Sequence, residues 1–239
     1  MIHSTAIVEK GAVIAEDVTI GPFCHIGKDV TLNKGVSLES NVVLAGKLNV
    51  EKNVKIFSFV CIGYNQSTIE IGKETHVREF AQIGTQEGTA KINIGAHNFI
   101  MGYVQVYSGV TLGEYTIVTN AVKIYENVQC EERVIIGGLS TIEANNKIGT
   151  GVMIGGASYV THDLPPFTLV EGNKSKIKGL NVVGLRRRLE NPEQINEIKS
   201  IFKKILTDSV DKDLANKIAQ SHEEGYVKRF VSFIAQSNL

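Results

Sequence analysis

The side chains of this chain that could do chemistry are few and mostly scattered. Six histidines stand apart from one another, and we interpret them as surface or corner residues: His3, His25, His76, His97, His162 and His222. No CxxC or HExxH motif is present, so we predict no metal site. The only run of three basic residues is Arg186–Arg188, in the segment GLNVVGLRRR. Guanidinium groups pair well with diphosphate oxygens, so this run is a candidate anion site; the alternative is a solvated surface before a helix.

These side chains must be positioned by the fold, and the clearest sign of that fold is a six-residue period in aliphatic residues. It runs from Val8 to Ile62, returns from Ile71 to Ile83, and continues unbroken from Ile94 to Val160, with Cys130 as its one non-aliphatic member. A hexapeptide period is typical of a parallel β-helix, here of roughly eight coils spaced about 4.8 Å apart. We expect the aliphatic residue, and the Val or small residue four positions later, to point inward. Glycine often follows the aliphatic residue, where we expect unusual backbone angles.

The period breaks twice and then ends. Extra residues interrupt it at 64–70 and at 84–93. Solenoid proteins often place such insertions on the binding face, although neutral surface loops are the alternative. The period is lost in a non-repeat tail, residues 161–184, whose two prolines cannot continue a ladder. Asn191 then resembles an N-cap before Pro192, and the apolar spacing that follows predicts three helices.

Composition excludes several classes of protein. The chain has 25 basic and 25 acidic residues, which argues against nucleic-acid binding by bulk charge. We expect no membrane span, because no apolar run is long enough, and no signal peptide. The three cysteines, Cys24, Cys61 and Cys130, are interpreted as reduced core residues of a cytoplasmic protein.

Several longer segments carry a resemblance to a known family. The segments VMIGGASYVTHDLPPFTLVEGN and GLNVVGLRRR, the two insertions and the helical C-terminus resemble the UDP-N-acetylglucosamine O-acyltransferases that start lipid A synthesis. The resemblance covers essentially the full length and implies a left-handed parallel β-helix over residues 1–184 with a C-terminal α-helical domain over 185–239. It also implies a cytoplasmic homotrimer with active sites between adjacent prisms. The implied acyl donor is acyl carrier protein, the acceptor is the 3-hydroxyl of a UDP-aminosugar, and no cofactor is expected.

The resemblance assigns five substrate-binding positions. Asn181, Arg187 and Arg188 match the residues that hold the nucleotide in the family. Gly156 matches a glycine that lines the acyl-chain groove, and Lys174 stands where the family often has a histidine near the donor. One nucleoside contact departs from the pattern, because the family's glutamate two residues after the asparagine is a valine here.

The catalytic positions depart from the family. The general-base histidine corresponds to Ser108 and its acidic partner to Gly109, while four further family histidines correspond to Gln105, Asn127, Glu143 and Gly84. A serine hydroxyl cannot accept a proton near pH 7, whereas imidazole titrates there. Glu126 lies 18 residues after Ser108, so it stacks one coil above that position, where a carboxylate is a candidate base; Glu143 is a second candidate. The alternative is that both are polar residues of a solvated face.

Two functions follow from this pattern. One is an acyltransferase that moves an acyl chain from acyl carrier protein to a UDP-aminosugar with an altered base or acceptor. The other is a catalytically inactive descendant that binds a nucleotide sugar, acyl carrier protein or a paralogous acyltransferase.

Overall fold

The hexads fold into short parallel strands. A computed structural model describes residues 1–64, 67–189, 191–206, 210–223, 225–237 and 239. The repeat region consists of β1 (Ile7–Val8), β2 (Val13–Ile14), β3 (Thr19–Ile20), β4 (His25–Ile26), β5 (Val30–Leu32), β6 (Ser37–Leu38), β7 (Val43–Leu44), β8 (Lys47–Val50), β9 (Lys55–Ile56), β10 (Cys61–Ile62), β11 (Thr68–Ile71), β12 (His76–Val77), β13 (Gln82–Ile83), β14 (Ile92–Ile94), β15 (Phe99–Ile100), β16 (Gln105–Val106), β17 (Thr111–Leu112), β18 (Ile117–Val118), β19 (Lys123–Ile124), β20 (Gln129–Cys130), β21 (Ile135–Ile136), β22 (Thr141–Ile142), β23 (Lys147–Ile148), β24 (Met153–Ile154) and β25 (Tyr159–Val160). Every aliphatic position of the predicted period is the last residue of one of these strands.

The strands form a triangular prism with three parallel sheets. Each strand pairs with the strand three later, so that Gln105 lies opposite Lys123 and Ile117 opposite Ile135. Sheet A contains β3, β6, β9, β12, β15, β18, β21 and β24; sheet B runs from β1 to β25 in the same steps, and sheet C runs from β2 to β23. Sheet B has nine strands, which gives about nine turns where the sequence predicted roughly eight.

The prism core is a set of stacked aliphatic ladders. From Ile20 onward the last residue of each strand is at most 3% exposed, and the valines four positions later, such as Val42 and Val104, are fully buried. Val8 and Ile14, in the first coil, are only partly buried. The predicted inward pattern is therefore confirmed, and β-branched side chains dominate it because they stack well across parallel strands.

For most of the glycines the reason differs from the one predicted. Of the ten glycines directly after an aliphatic residue of the period, only Gly63 (φ 84) and Gly84 (φ 59) have the predicted positive φ. The non-glycine residues with positive φ in the coils stand three positions after the aliphatic residue, as at Phe59 (φ 64) and Leu139 (φ 62). The glycine directly after the aliphatic residue is required because neighbouring coils approach closely there. A Cβ on Gly113 would lie 2.5 Å from the backbone of Glu131 and Glu132, and a Cβ on Gly137 would lie 2.5 Å from the backbone of Gly156.

The segment after Val160 adds strands that the sequence did not predict. Phe167 takes the positive-φ corner after the two prolines. β26 (Thr168–Glu171) then pairs in parallel with β24, and β27 (Lys176–Leu180) returns antiparallel to it, so both extend sheet A. Pro165 and Pro166 occupy the turn and interrupt no ladder, which explains why the sheet resumes after them.

The described residues after β27 contain four helices: α1 (Val182–Arg186), α2 (Pro192–Leu206), α3 (Lys212–Ser221) and α4 (Tyr226–Gln236). The predicted start of α2 is confirmed, because Asn191 Oδ1 accepts a hydrogen bond from the Glu193 amide at 2.8 Å. The helices share a second core with Phe167, and the short α1 was not predicted. The boundary at 185 falls inside α1 and stays a prediction of domain organisation. In the described part of the chain, no helix is both long enough and apolar enough to cross a membrane.

Candidate functional site

Ser108, which the resemblance predicts to stand at the general-base position, is held by the two insertions. It follows β16 at the corner between sheets B and C and is 4% exposed. Its Oγ accepts a hydrogen bond from the Ala90 amide at 3.0 Å and donates to the Ala90 carbonyl at 3.2 Å. The Oγ of Ser67, in the first insertion, lies 3.2 Å away. The hydroxyl is therefore saturated by structural contacts.

The space around Ser108 is closed. A Cβ placed on Gly88 would collide with the Ser108 side chain, so the second insertion lies directly on it. A Cβ on Gly109 would collide with the Asn127 amide, and Gly109 also has a positive φ of 77°. An imidazole at position 108 would therefore displace the second insertion.

The two candidate carboxylates lie among tyrosines. Glu126 stands on the coil above Ser108, as predicted, because the next residue's amide donates to the Ser108 carbonyl at 3.0 Å. Tyr107 and Tyr125 pack with ring centroids 4.7 Å apart, and burial, followed by the neighbouring Tyr125 and Glu126, raises the pKa of Tyr107. Glu143 accepts a hydrogen bond from the Tyr159 hydroxyl, which raises the pKa of Tyr159. The 18-residue spacing of Tyr107 and Tyr125 was the sequence signal for this cluster, and the sequence analysis did not use it.

Neither Gly156 nor Lys174 is among the residues that line the cavity of the arginines. Gly156 is exposed at the corner before β25. Lys174 is exposed in the turn between β26 and β27, and the backbone of that turn pairs with Tyr159: the Tyr159 amide donates to the Gly172 carbonyl at 3.0 Å.

A cavity of about 640 Å³ lies over the outer face of sheet A. Its floor consists of apolar side chains from successive coils, and the segment that leads into α1 forms its wall. The lining residues are Tyr115, Ile117, Arg133, Ile135, Met153, Leu169, Leu180, Asn181, Val182, Val183, Gly184, Arg187 and Arg188. None of these described residues is acidic, and three of them are arginines.

Asn181 has a structural role in this wall. Its Oδ1 accepts a hydrogen bond from the Gly184 amide at 2.9 Å and so caps α1, while its Nδ2 donates to the Gly151 carbonyl at 3.1 Å. These contacts use both ends of the side-chain amide. Asn181 therefore fixes the segment that presents the arginines.

The arginines differ in their surroundings. Arg187 is exposed at the cavity, whereas Arg186 does not line it. Arg188 is half-buried over the Phe167 ring, and its Nη2 donates to the Arg133 carbonyl at 3.2 Å. Its Nη1 is buried and has no hydrogen-bond partner among the described residues. Burial lowers the pKa of Arg188, and the positive charge of Arg133 lowers it further. The sequence analysis did not identify Arg133.

The predicted site residues thus form two groups on different faces of one prism. Ser108, Glu126 and Glu143 follow strands of sheet B, whereas the arginine cavity lies over sheet A. Within the described residues, no three His, Cys, Asp or Glu side chains are arranged to hold a metal ion. Cys24 and Cys130 are buried and Cys61 is partly buried; burial raises the pKa of the Cys130 thiol to about 12.

Comparisons with known proteins agree on one family. A model described as UDP N-acetylglucosamine O-acyltransferase, domain 2, matches residues 163–239, and a bacterial transferase hexapeptide model of six repeats matches residues 2–46. An acyl–acyl-carrier-protein–UDP-N-acetylglucosamine O-acyltransferase from Aliarcobacter butzleri is 39% identical over 98% of this chain and 94% of its own length. The protein of the same name from Sulfurovum sp. is 36% identical over 99% and 95%.

Solved structures show the same likeness. The UDP-N-acetylglucosamine acyltransferase from Campylobacter jejuni superposes with a TM-score of 0.91 at 29% identity, covering 100% of this chain and 97% of that one. A second UDP-N-acetylglucosamine acyltransferase structure reaches a TM-score of 0.94 at 34% identity, with 100% and 96% coverage. The predicted left-handed β-helix with a helical C-terminus is therefore confirmed. The chain belongs to the UDP-N-acetylglucosamine O-acyltransferase family.

Proposed function

We propose that this chain binds a UDP-linked aminosugar in the cavity over sheet A and lacks the family's histidine-based O-acyl transfer. One observation carries the binding part: Arg133, Arg187 and Arg188 line a cavity in which no described lining residue is acidic. Guanidinium groups make strong, paired hydrogen bonds to phosphate oxygens, and a diphosphate would offset their mutual repulsion. The apolar floor suits the less polar parts of a ligand.

The surroundings of Ser108 support the loss of the standard reaction. Its hydroxyl is committed to Ala90 and Ser67 and lies under the second insertion. General-base catalysis typically contributes about 10²–10⁴-fold to a rate, so its removal leaves little transfer to a sugar hydroxyl.

A second candidate function is acyl transfer with a carboxylate as the base. The hydrogen bond from Tyr159 to Glu143 favours it, because it holds that carboxylate in a fixed position beside the packed rings of Tyr107 and Tyr125. Glu126 is the alternative carboxylate, one coil above Ser108. Either would act on an acyl chain delivered by acyl carrier protein, the donor for which the relatives from Sulfurovum sp. and Aliarcobacter butzleri are named.

The two separated groups also bear on assembly. The carboxylate group and the arginine cavity lie on different faces of one prism, so a site that uses both needs two copies of the chain. We therefore propose a homotrimer in the cytoplasm, with sites between adjacent prisms, as the resemblance implies.

Calorimetric titration with UDP-N-acetylglucosamine tests the binding part. We expect Arg187→Ala to weaken binding at least tenfold, because it removes a charged diphosphate contact, and Arg186→Ala to bind as the wild type, because Arg186 does not line the cavity. Equal affinity of the Arg187→Ala variant and the wild type would overturn the assignment.

An acyl-transfer assay separates the two candidates. The purified chain is offered acyl carrier protein thioesters of several lengths with UDP-sugars that bear a hydroxyl or an amine. No acylated product at high protein concentration supports the binding function. A product whose formation is abolished in Glu143→Gln or Glu126→Gln, with UDP-sugar binding intact, establishes the carboxylate-based transferase instead.

A further inference from the structure

A column of stacked side chains runs along the corner between sheets C and A. Its members stand at the positive-φ corner position of successive coils. The His97 and Tyr115 rings are parallel within 6°, with centroids 4.6 Å apart, and the Arg133 guanidinium carbon lies 4.4 Å from the centre of the Tyr115 ring. Below them, Glu74 contacts the His97 Nδ1 at 3.2 Å. The column therefore holds Arg133 from one side through a cation–π contact.

The column leads directly to Arg188. The corner position above Arg133 belongs to Gly151, where a Cβ would collide with the Arg188 Nη1. Because Gly151 has no side chain, Arg188 can occupy this space. The Nη2 of Arg188 donates a hydrogen bond to the Arg133 carbonyl. Two guanidinium groups from distant parts of the sequence are thus brought together at one end of the cavity.

The nearby carboxylates are already engaged. Glu131 and Glu132 precede Arg133 in the sequence, but both pair with Arg229 of α4, at 3.3 Å and 3.0 Å. No ion pair of Arg133 or Arg187 occurs among the described residues. Arg133 and Arg187 therefore line the cavity without an ion pair among the described residues, and Arg188, whose buried Nη1 has no hydrogen-bond partner, lines it beside them.

From this arrangement we infer that Arg133 is a further binding residue, which binds the diphosphate of the ligand together with Arg187 and Arg188. Tyr115 positions the Arg133 side chain. The inference deepens the proposed function and rests on it. Arg133 lies outside the GLNVVGLRRR segment and comes from the prism itself, so the anion site is shared between the β-helix and the helical segment. Tyr115 acts through Arg133 and is a positioning residue.

The test uses the full-length protein, with UDP, UMP, uridine and inorganic pyrophosphate as calorimetric probes. We expect Arg133→Ala to weaken UDP and pyrophosphate binding at least tenfold, to weaken UMP less, and to leave any uridine binding unchanged. Arg133→Lys keeps the charge but loses the planar fork, so we expect an intermediate loss. Tyr115→Phe keeps the ring and serves as the rescue variant for Tyr115→Leu, which removes the stack and should lower UDP affinity. Arg186→Ala is the matched control.

Each outcome decides between the two claims. If Arg187→Ala weakens UDP binding while Arg133→Ala does not, the inference is wrong and the proposed function stands. If the wild type binds pyrophosphate in an Arg133-dependent way but shows no preference for UDP over pyrophosphate, the inference stands and the nucleotide-sugar function is wrong. If the folded wild type binds neither probe, both are wrong. Because Arg133→Lys and Tyr115→Phe are conservative, they keep the test valid if an alanine variant fails to fold.

Discussion

At the residue scale, Ser108 shows how a single hydroxyl can join an inserted loop to the prism. The Ser108 hydroxyl makes both a donated and an accepted hydrogen bond to Ala90 and contacts Ser67, so it ties the second insertion to the prism. From the sequence, the resemblance predicts that the family's base is missing there, and this stays a prediction. The sequence could not show this structural role, because the partners come from loops whose course no periodicity describes.

Removal of this hydroxyl should cost stability and leave ligand binding intact. We expect Ser108→Ala to lower the free energy of unfolding by about 1–3 kcal/mol, because buried backbone groups of the second insertion lose their partner. Urea denaturation measures the change, and Ser37→Ala, on the outer face of β6, is the control. A Ser108→Ala variant as stable as the wild type would show that the second insertion does not depend on this contact.

The arginine site, like Ser108, could be predicted only in part from the sequence. The basic run and its likeness to a nucleotide clamp were visible in the sequence. The partial burial of Arg188 and the participation of Arg133 were not, because Arg133 is 55 residues away from Arg188 and reaches it only through the fold.

At the element scale, each turn between strands of a coil has two positions with different requirements for the side chain. Where the residue after the aliphatic one is glycine, as at Gly113, the next coil passes close to it, whereas elsewhere this position holds large side chains such as Tyr107 and Tyr125. The positive-φ residue two positions later also accepts large side chains, such as Phe80 and Tyr103, which stack 4.9 Å apart. All repeat strands could be predicted from the hexad because each buries one ladder residue. Strands β26 and β27 and helix α1 could not, because they lie outside the period and α1 has only five residues.

The close approach of neighbouring coils can be tested by comparing alanine substitutions of two glycines that occupy the same position of the hexad. We expect Gly113→Ala to destabilise the protein by about 1–3 kcal/mol, because its Cβ would lie 2.5 Å from rigid backbone. Gly27→Ala, where the nearest backbone atom is 3.3 Å away, should cost clearly less. Thermal and urea unfolding compare the two, and equal losses would show that coil spacing is not the reason for these glycines.

At the scale of the whole molecule, the prism and the helices have separate cores joined by a polar contact. The prism core is aliphatic, whereas the second core combines Phe167 with the helices. Arg229 of α4 pairs with Glu131 and Glu132 of the prism. Because the same carboxylates lie next to Arg133, this contact also keeps them away from the cavity.

Loss of this polar contact should increase local opening of the helices but not of the prism. We expect Arg229→Ala to raise amide hydrogen exchange in α4 by up to about fivefold, since such partly exposed ion pairs contribute about 1 kcal/mol or less. Lys228→Ala on the same helix is the control. Hydrogen-exchange mass spectrometry measures the effect; a matching rise across β19–β23 would mean that the two cores unfold together.

The strand register also constrains how a gene for this fold changes in length. In the uninterrupted region each strand pairs with the one 18 residues later, as Lys123 does with Thr141. Loss or duplication of 18 residues therefore removes or adds one whole coil and rejoins every ladder, whereas most other length changes turn aliphatic side chains outward. We therefore expect this fold to tolerate length changes of whole coils, or changes in those parts of the two insertions that lie outside β11 and β14.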